Sequence, residues 1–188
     1  MSHAILRLDT RHDGWASFHI ATVRLPDGVE IRREIEEHGP AVAVLPYDAE
    51  RRVTLLVRQF RTPAFFAGGQ ESVLECPAGL LEEPDAEAGG RREVLEEVGL
   101  ALGPLESVGC VWSMPGVSTE RMHLFLAPFS AADRRGAGGG LADEHERIQV
   151  VEIALPELGR MAGDGGLDDM KTLCLYQALR LRRPELFV

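Results

Sequence analysis

The chain has 188 residues, 45% of them hydrophobic, and a formal net charge of −10. That is enough apolar material for one substantial core with a small appendage. The acidic balance and the lack of a basic run argue against nucleic acid as a main partner, the apolar runs are too short to span a membrane, and the N-terminal stretch lacks a secretory apolar core. In chain order, residues 14–24 and 29–35 read as two strands around the Pro26-Asp27-Gly28 turn. A hairpin is marginal alone, so this one is expected to pack on the core or on a second subunit. Residues 41–47 and 53–60 read as stronger strands divided by Asp48-Ala49-Glu50, and residues 72–76 as another. Residues 86–98 form the central helix. Gly89 and Gly90 inside it are poor helix formers, so they either permit close packing or delay the helix start. Residues 108–113 and 121–128 read as strands around a Pro115-Gly116 loop. Residues 134–140 form a glycine-rich turn, without a phosphate-loop pattern. Residues 148–153 read as a short strand, and residues 156–161 and 167–181 as helices. Strands and helices alternate too little for a doubly wound dinucleotide fold, so the pattern is α/β with a mixed sheet.

Chemistry concentrates in the central helix. Glu93, Glu96 and Glu97 stand three and four residues apart and reach one side of it. Three carboxylates facing one way repel each other unless solvent or a multivalent cation intervenes. Oxygen donors suit Mg2+ or Mn2+, and those ions suit phosphate chemistry. A solvated acidic face is the competing reading. The turn Pro77-Ala78-Gly79 ahead of the helix can aim a backbone carbonyl at an ion held there. Gly99 follows the last apolar helix position, as a C-terminal stop.

The three cysteines, Cys76, Cys110 and Cys174, stand far apart without paired metal spacing. They read as reduced, mostly packed residues of a cytoplasmic protein, with Cys76 weighed and set aside as a nucleophile. Arg58 and Arg61 offer planar donor forks suited to phosphate, against the plainer reading of strand-end charge. Glu75 is a candidate acceptor for a base or sugar. Trp15, Phe18, Trp112 and Met114 read as core by default, with a pocket role as the alternative. His19 and His123 read as packed or paired strand residues.

The stretch from Gly79 to Leu100 resembles the signature of the Nudix hydrolases, G-x5-E-x7-R-E-U-x-E-E-x-G-U, where U is a bulky apolar residue. Gly79 opens it, and Arg92, Glu93, Val94, Glu96, Glu97, Gly99 and Leu100 match its end. Asp85 stands at the first acidic position, and one residue is missing between it and Arg92. Arg58-Gln59-Phe60-Arg61, Glu75-Cys76-Pro77-Ala78-Gly79, Met114-Pro115-Gly116 and residues 140–146 are similar to the nucleoside-diphosphate-sugar branch. The shortened signature and Ala137-Gly138-Gly139-Gly140 are similar to the GDP-mannose type, and residues 141–146 equally to the ADP-ribose type.

The resemblance implies an α/β/α sandwich around a mixed sheet with a small N-terminal antiparallel sheet. It implies a hydrolase domain over residues 39–188, and a homodimer formed through residues 1–38. The implied reaction is Mg2+-dependent hydrolysis of the diphosphate of a nucleotide sugar, ADP-ribose or GDP-mannose. Glu93, Glu97 and Glu96 are the implied metal ligands, joined by the carbonyl of Ala78 and by Glu146. Arg92 is expected to steady one of the helix carboxylates, and Glu144 to act as base or to position water. His145 between the two loop glutamates reads as solvated. Arg58, Arg61, Glu75, Met114 and Gly116 are the implied substrate contacts. A noncatalytic nucleotide-binding regulatory module is the alternative in another class. A bare interaction domain would explain the acidity but not the ordered motif.

Overall fold

The computed structural model describes residues 2–82, 84–140 and 147–188. Their backbone falls into two compact units, Met1–Ala41 with Cys110–Met122, and Val42–Gly109 with His123–Val188.

The first unit carries a three-stranded antiparallel sheet, β1 (Ala4–Asp13), β2 (Ser17–Arg24) and β3 (Glu30–Glu37), in that order. The turn between β2 and β3 forms where expected. Gly28 adopts φ 91°, and its N–H donates to the Leu25 carbonyl at 2.9 Å. The small N-terminal antiparallel sheet is there as expected, with β1 added to the two strands read from the sequence. β1 escaped sequence reading because it lacks a buried face: nine of its ten positions are exposed and one is half-buried. An edge strand laced with charge, such as Arg7 paired with Asp9, has no apolar alternation to detect.

The second unit is built on a mixed sheet of order β10-β5-β4-β9-β8, with β6 on β5 and β7 on β4. Its strands are β4 (Ala41–Asp48), β5 (Val53–Gln59), β6 (Val73–Glu75), β7 (Ala78–Leu80), β8 (Glu106–Trp112), β9 (Arg121–Pro128) and β10 (Gln149–Ala154). The helices are α1 (Thr62–Gly68), α2 (Ala86–Val98), α3 (Leu155–Gly163) and α4 (Met170–Arg182). Sequence reading missed α1 and β7. Both are short, and α1 buries no residue, so neither leaves a periodic trace.

Alternate positions along a strand face opposite sides of a sheet. Val42 and Val44 of β4, Leu55 and Val57 of β5, and Phe125 and Ala127 of β9 form one cluster with Val94 and Val98 of α2. The intervening Leu45, Leu56 and Leu126 are equally buried, so the second face is covered too. Leu155, Leu158, Leu175, Tyr176 and Leu179 of α3 and α4 are the buried helix residues on hand to cover it.

Candidate active site

The helix α2 starts where Asp85 caps it. The Asp85 side chain accepts from the Glu87 N–H at 3.0 Å, so the aspartate at the departing signature position serves as N-cap. Gly99 ends the helix with φ 72° and donates its N–H to the Leu95 carbonyl at 3.1 Å. The two readings of Gly89 and Gly90 are separated. The helix runs through both, and a Cβ at Gly90 would stand 2.9 Å from Val44 and 3.0 Å from Leu105, so close packing is the reason for glycine there.

This seating turns Glu93 and Glu97 inward, at 8% and 3% exposure, against the β7 segment. The Ala78 N–H donates to Glu97 Oε2 at 3.1 Å. At Gly79 an added Cβ would lie 2.3 Å from the Glu93 carboxylate, so glycine leaves the space the carboxylate occupies. Arg92 lies 2.9 Å from Glu93 Oε1 and 3.0 Å from Glu96 Oε2, and it donates to the Leu80 carbonyl at 3.3 Å. It therefore contacts two of the three helix carboxylates. Glu96 is the more open of these, lying at the helix edge with Arg92.

The glycine-rich segment caps the same helix from its far end. Gly139 and Gly140 donate N–H groups to the carbonyls of Glu97 at 2.9 Å and Glu96 at 3.2 Å, and Arg135 and Gly136 donate to Gly99. Two carboxylates at a helix C-terminus oppose the helix dipole, and these N–H groups offset part of that cost. Gly138 has φ 72°, and its Cβ position is 2.4 Å from the Glu97 carbonyl oxygen. Only glycine allows this approach.

Buried carboxylates beside a backbone turn fit a hard divalent cation in donor chemistry. Among the described residues, no three His, Cys, Asp or Glu side chains converge into a preformed cage. Mg2+ is commonly held by one or two carboxylates with substrate phosphates and water completing the shell. Glu93 and Glu97 suit that arrangement. Glu144, His145 and Glu146 lie outside the described residues.

A second polar cluster lies around β6. Arg61 forms a two-pronged pair with Glu75, 2.7 Å from Nε to Oε1 and 3.0 Å from Nη2 to Oε2. Lys171 of α4 pairs with the same carboxylate and with Asp169 at 2.9 Å. Asp169 also caps α4 through the Thr172 N–H at 2.9 Å, and Thr172 Oγ1 accepts from the Cys76 N–H at 2.7 Å. Burial pushes the Glu75 carboxyl up, but Arg61 and Lys171 outweigh it and hold the group below its ordinary range. Burial likewise opposes the charge of Lys171, and the carboxylates of Glu75 and Asp169 raise it. A cleft of about 380 Å³ opens beside this cluster, lined by Arg61, Gln70, Glu75 and Asp169 among others. Sequence reading found Arg61 and Glu75 but missed Lys171 and Asp169. The one local signal was the helix-cap pattern of Asp169 three residues ahead of Thr172.

Arg58 is exposed on β5. Met114 and Gly116 are exposed in the first unit. Trp15, Trp112 and Met114 are not core as expected: they are 76%, 51% and 56% exposed. Phe18 is half-buried. His19 is packed and paired, 3.0 Å from Thr10 and 3.4 Å from Glu37. Of the cysteines only Cys76 is packed, and Cys110 and Cys174 are exposed, against expectation. Burial pushes the Cys76 thiol up to about 12, which removes it as a nucleophile.

Comparison with known proteins agrees with this geometry. The family model described as the NUDIX domain matches residues 37–167. A GDP-mannose pyrophosphatase of Cronobacter sakazakii is 37% identical over 159 residues, covering 83% of this chain and 82% of that protein. A GDP-mannose pyrophosphatase of Pectobacterium atrosepticum is 34% identical over 175 residues, with 90% of each chain covered. A solved structure described as an ADP compounds hydrolase superposes with a TM-score of 0.80, covering 100% of this chain and 98% of its own at 18% identity. That likeness shows the fold, the α/β Nudix arrangement with a small N-terminal antiparallel sheet. On the family match and these relatives, the chain belongs to the Nudix family.

Proposed function

We propose that this chain hydrolyses the diphosphate bond of a nucleoside diphosphate sugar, GDP-mannose or ADP-ribose, to a nucleoside monophosphate and a sugar phosphate. Membership of the family makes it a Nudix-type nucleotide pyrophosphatase in general terms. The nucleotide sugar is the further step. The observation that carries the diphosphate chemistry is the inward pair Glu93 and Glu97, seated against Ala78 and Gly79. The curated relatives named GDP-mannose pyrophosphatase favour GDP-mannose as the first substrate to try.

Glu93 and Glu97 would hold Mg2+ or Mn2+, with Glu96, the Ala78 carbonyl and Glu146 as further donors. A bound Mg2+ supplies charge neutralisation of the diphosphate and a more acidic water. The chain's own groups do the rest. Arg92 keeps Glu93 and Glu96 from swinging apart. Arg61, gripped on one edge by Glu75, keeps further N–H donors for a phosphate oxygen. Arg58 is a second phosphate contact. Met114 and Gly116 contribute to sugar or base recognition. Glu144 accepts the proton of the attacking water, whose oxygen bonds to phosphorus as the bridging P–O bond breaks. The working form is a cytoplasmic homodimer joined through residues 1–38.

Product-resolved turnover of GDP-mannose and ADP-ribose, side by side with and without Mg2+, tests this. The expected products are a nucleoside monophosphate and a sugar phosphate, formed only with the metal. Consumption of nucleoside triphosphates alone would overturn the proposal.

A further inference from the structure

In the first unit, His38 stands just past the end of β3 with a carboxylate on each ring nitrogen. Nδ1 meets Glu36 Oε1, and Nε2 lies 2.9 Å from Glu120 Oε2. The imidazole is nearly covered, and so is Glu120. Trp15 stacks on its face, with ring centroids 4.9 Å apart and planes 23° apart. A neutral imidazole carries one N–H and one lone pair, so it would satisfy one carboxylate and repel the other. Two flanking carboxylates call for the doubly protonated ring, and a cation stacked on an indole gains further. The charged groups acting on it are Glu36 from β3 and Glu120 from the loop before β9. Burial opposes the charge, and these two carboxylates outweigh it, so His38 binds its proton more tightly than an ordinary histidine.

The bridge spans two separate pieces of chain. Glu36 belongs to β3, whereas Glu120 closes the loop that carries Met114 and Gly116. The backbone is joined at the same place. The Glu36 N–H donates to the Val117 carbonyl at 2.8 Å, and the Thr119 N–H donates to the Glu36 carbonyl at 3.0 Å. Within the loop, Val117 and Ser118 both donate to the Met114 carbonyl, at 3.1 and 2.9 Å. Nothing else in the sequence distinguishes His38, and no role in the reaction uses it.

We propose that His38 is a positioning residue: its imidazolium, bridging Glu36 and Glu120, anchors the Met114–Gly116 loop on β3 and so holds that loop ready for the nucleotide sugar. The substrate half of this inference rests on the reading under Proposed function; the anchoring half does not. Neutralising His38 frees the loop, which weakens substrate affinity and leaves the bond-breaking step nearly intact.

The test follows hydrogen exchange at the Glu36 and Thr119 amides, and KM and kcat for the hydrolysed nucleotide sugar, from about pH 6 to about pH 9. Wild type is compared with His38→Gln, which is neutral, and His38→Arg, which keeps a cation with several donors. After correction for intrinsic exchange, wild-type protection is expected to fall about tenfold or more as pH rises, with KM rising in parallel and kcat nearly level. His38→Arg should stay protected with a flat KM, and His38→Gln should be unprotected with a high KM throughout. The wild-type series needs no substitution, so a misfolded variant does not shelter the idea. Protection in His38→Gln equal to wild type, or a pH response in His38→Arg like that of wild type, would overturn the anchor. The expected exchange pattern with a level KM would overturn the positioning role. Failure to hydrolyse any nucleotide sugar would instead remove the functional reading, with the exchange measurements still deciding the anchor.

Discussion

Glu97 of α2 accepts a hydrogen bond from the backbone N–H of Ala78 at 3.1 Å, so the helix and the turn facing it are fastened at the carboxylate itself. The side chain holds the turn, and under the proposed function it would also offer oxygen to an ion. Glu97→Gln separates the two roles. The amide oxygen can still accept from Ala78, so thermal unfolding should shift little. The charge is lost, so Mn2+ binding followed by electron paramagnetic resonance should weaken, and turnover should drop about a hundredfold or more. Unchanged turnover would remove Glu97 from the metal-binding set.

Two glycines of this region should respond to alanine in opposite ways. A Cβ at Gly79 meets the end of the Glu93 side chain at 2.3 Å, a group that can swing aside without disturbing the core. Gly79→Ala should therefore cost activity, about tenfold or more, with little loss of stability. A Cβ at Gly90 meets Val44, Leu105 and Val42 between 2.9 and 3.2 Å, all packed side chains. Gly90→Ala gains helix propensity but overpacks the core, and it should destabilise by about 1–3 kcal/mol with kcat nearly unchanged. Urea denaturation and kcat on both variants check the pair. Equal losses of both kinds in both proteins would contradict it.

How much of this was legible in advance follows from where each signal resides. The end of α2 was readable because its signals are local: Gly99 follows the last apolar helix position, and the carboxylates stand at helical spacing, whereas the Asp85 cap that fixes its start stood in the sequence only as a departure from the signature. Lys171 was unreadable for the opposite reason. Its meaning depends on α4 landing beside β6, 96 residues away in sequence, and nothing near Lys171 announces that. Trp15 and Trp112 were misjudged because large aromatics are usually buried, whereas here Trp15 covers His38 and Trp112 carries the Arg121 guanidinium 4.7 Å from its ring. β1 was missed because its exposed edge carries charge where a buried strand would carry alternation.

Thiol reactivity gives a cheap check of the burial pattern. Cys110 and Cys174 are exposed, whereas Cys76 is buried with its thiol pushed up to about 12. At neutral pH a disulfide reagent should titrate two thiols in the native protein, and the third only after denaturation. Fast reaction of all three in the native state would mean that the β6–β7 region opens readily or is packed differently.

Acid should loosen the cluster around Glu75. The Glu75 carboxyl is held below its ordinary value of 4.5: burial pushes it up, and Arg61 and Lys171 more than reverse that. A group whose folded pKa is depressed contributes stability above its unfolded pKa, and that contribution fades as pH falls through the folded value. Glu75→Gln removes the titration and leaves Lys171 with Asp169 alone. Near neutral pH the variant should be less stable than wild type by about 3 kcal/mol, since breaking a buried ion pair strands its partner. Below pH 4.5 the gap should narrow, as wild-type Glu75 takes up its proton. Urea unfolding of both proteins at a series of pH values reads the gap directly. A difference that stays constant down to the lowest pH would mean that Glu75 does not carry its charge in the folded chain, and the grip on Arg61 would need another explanation.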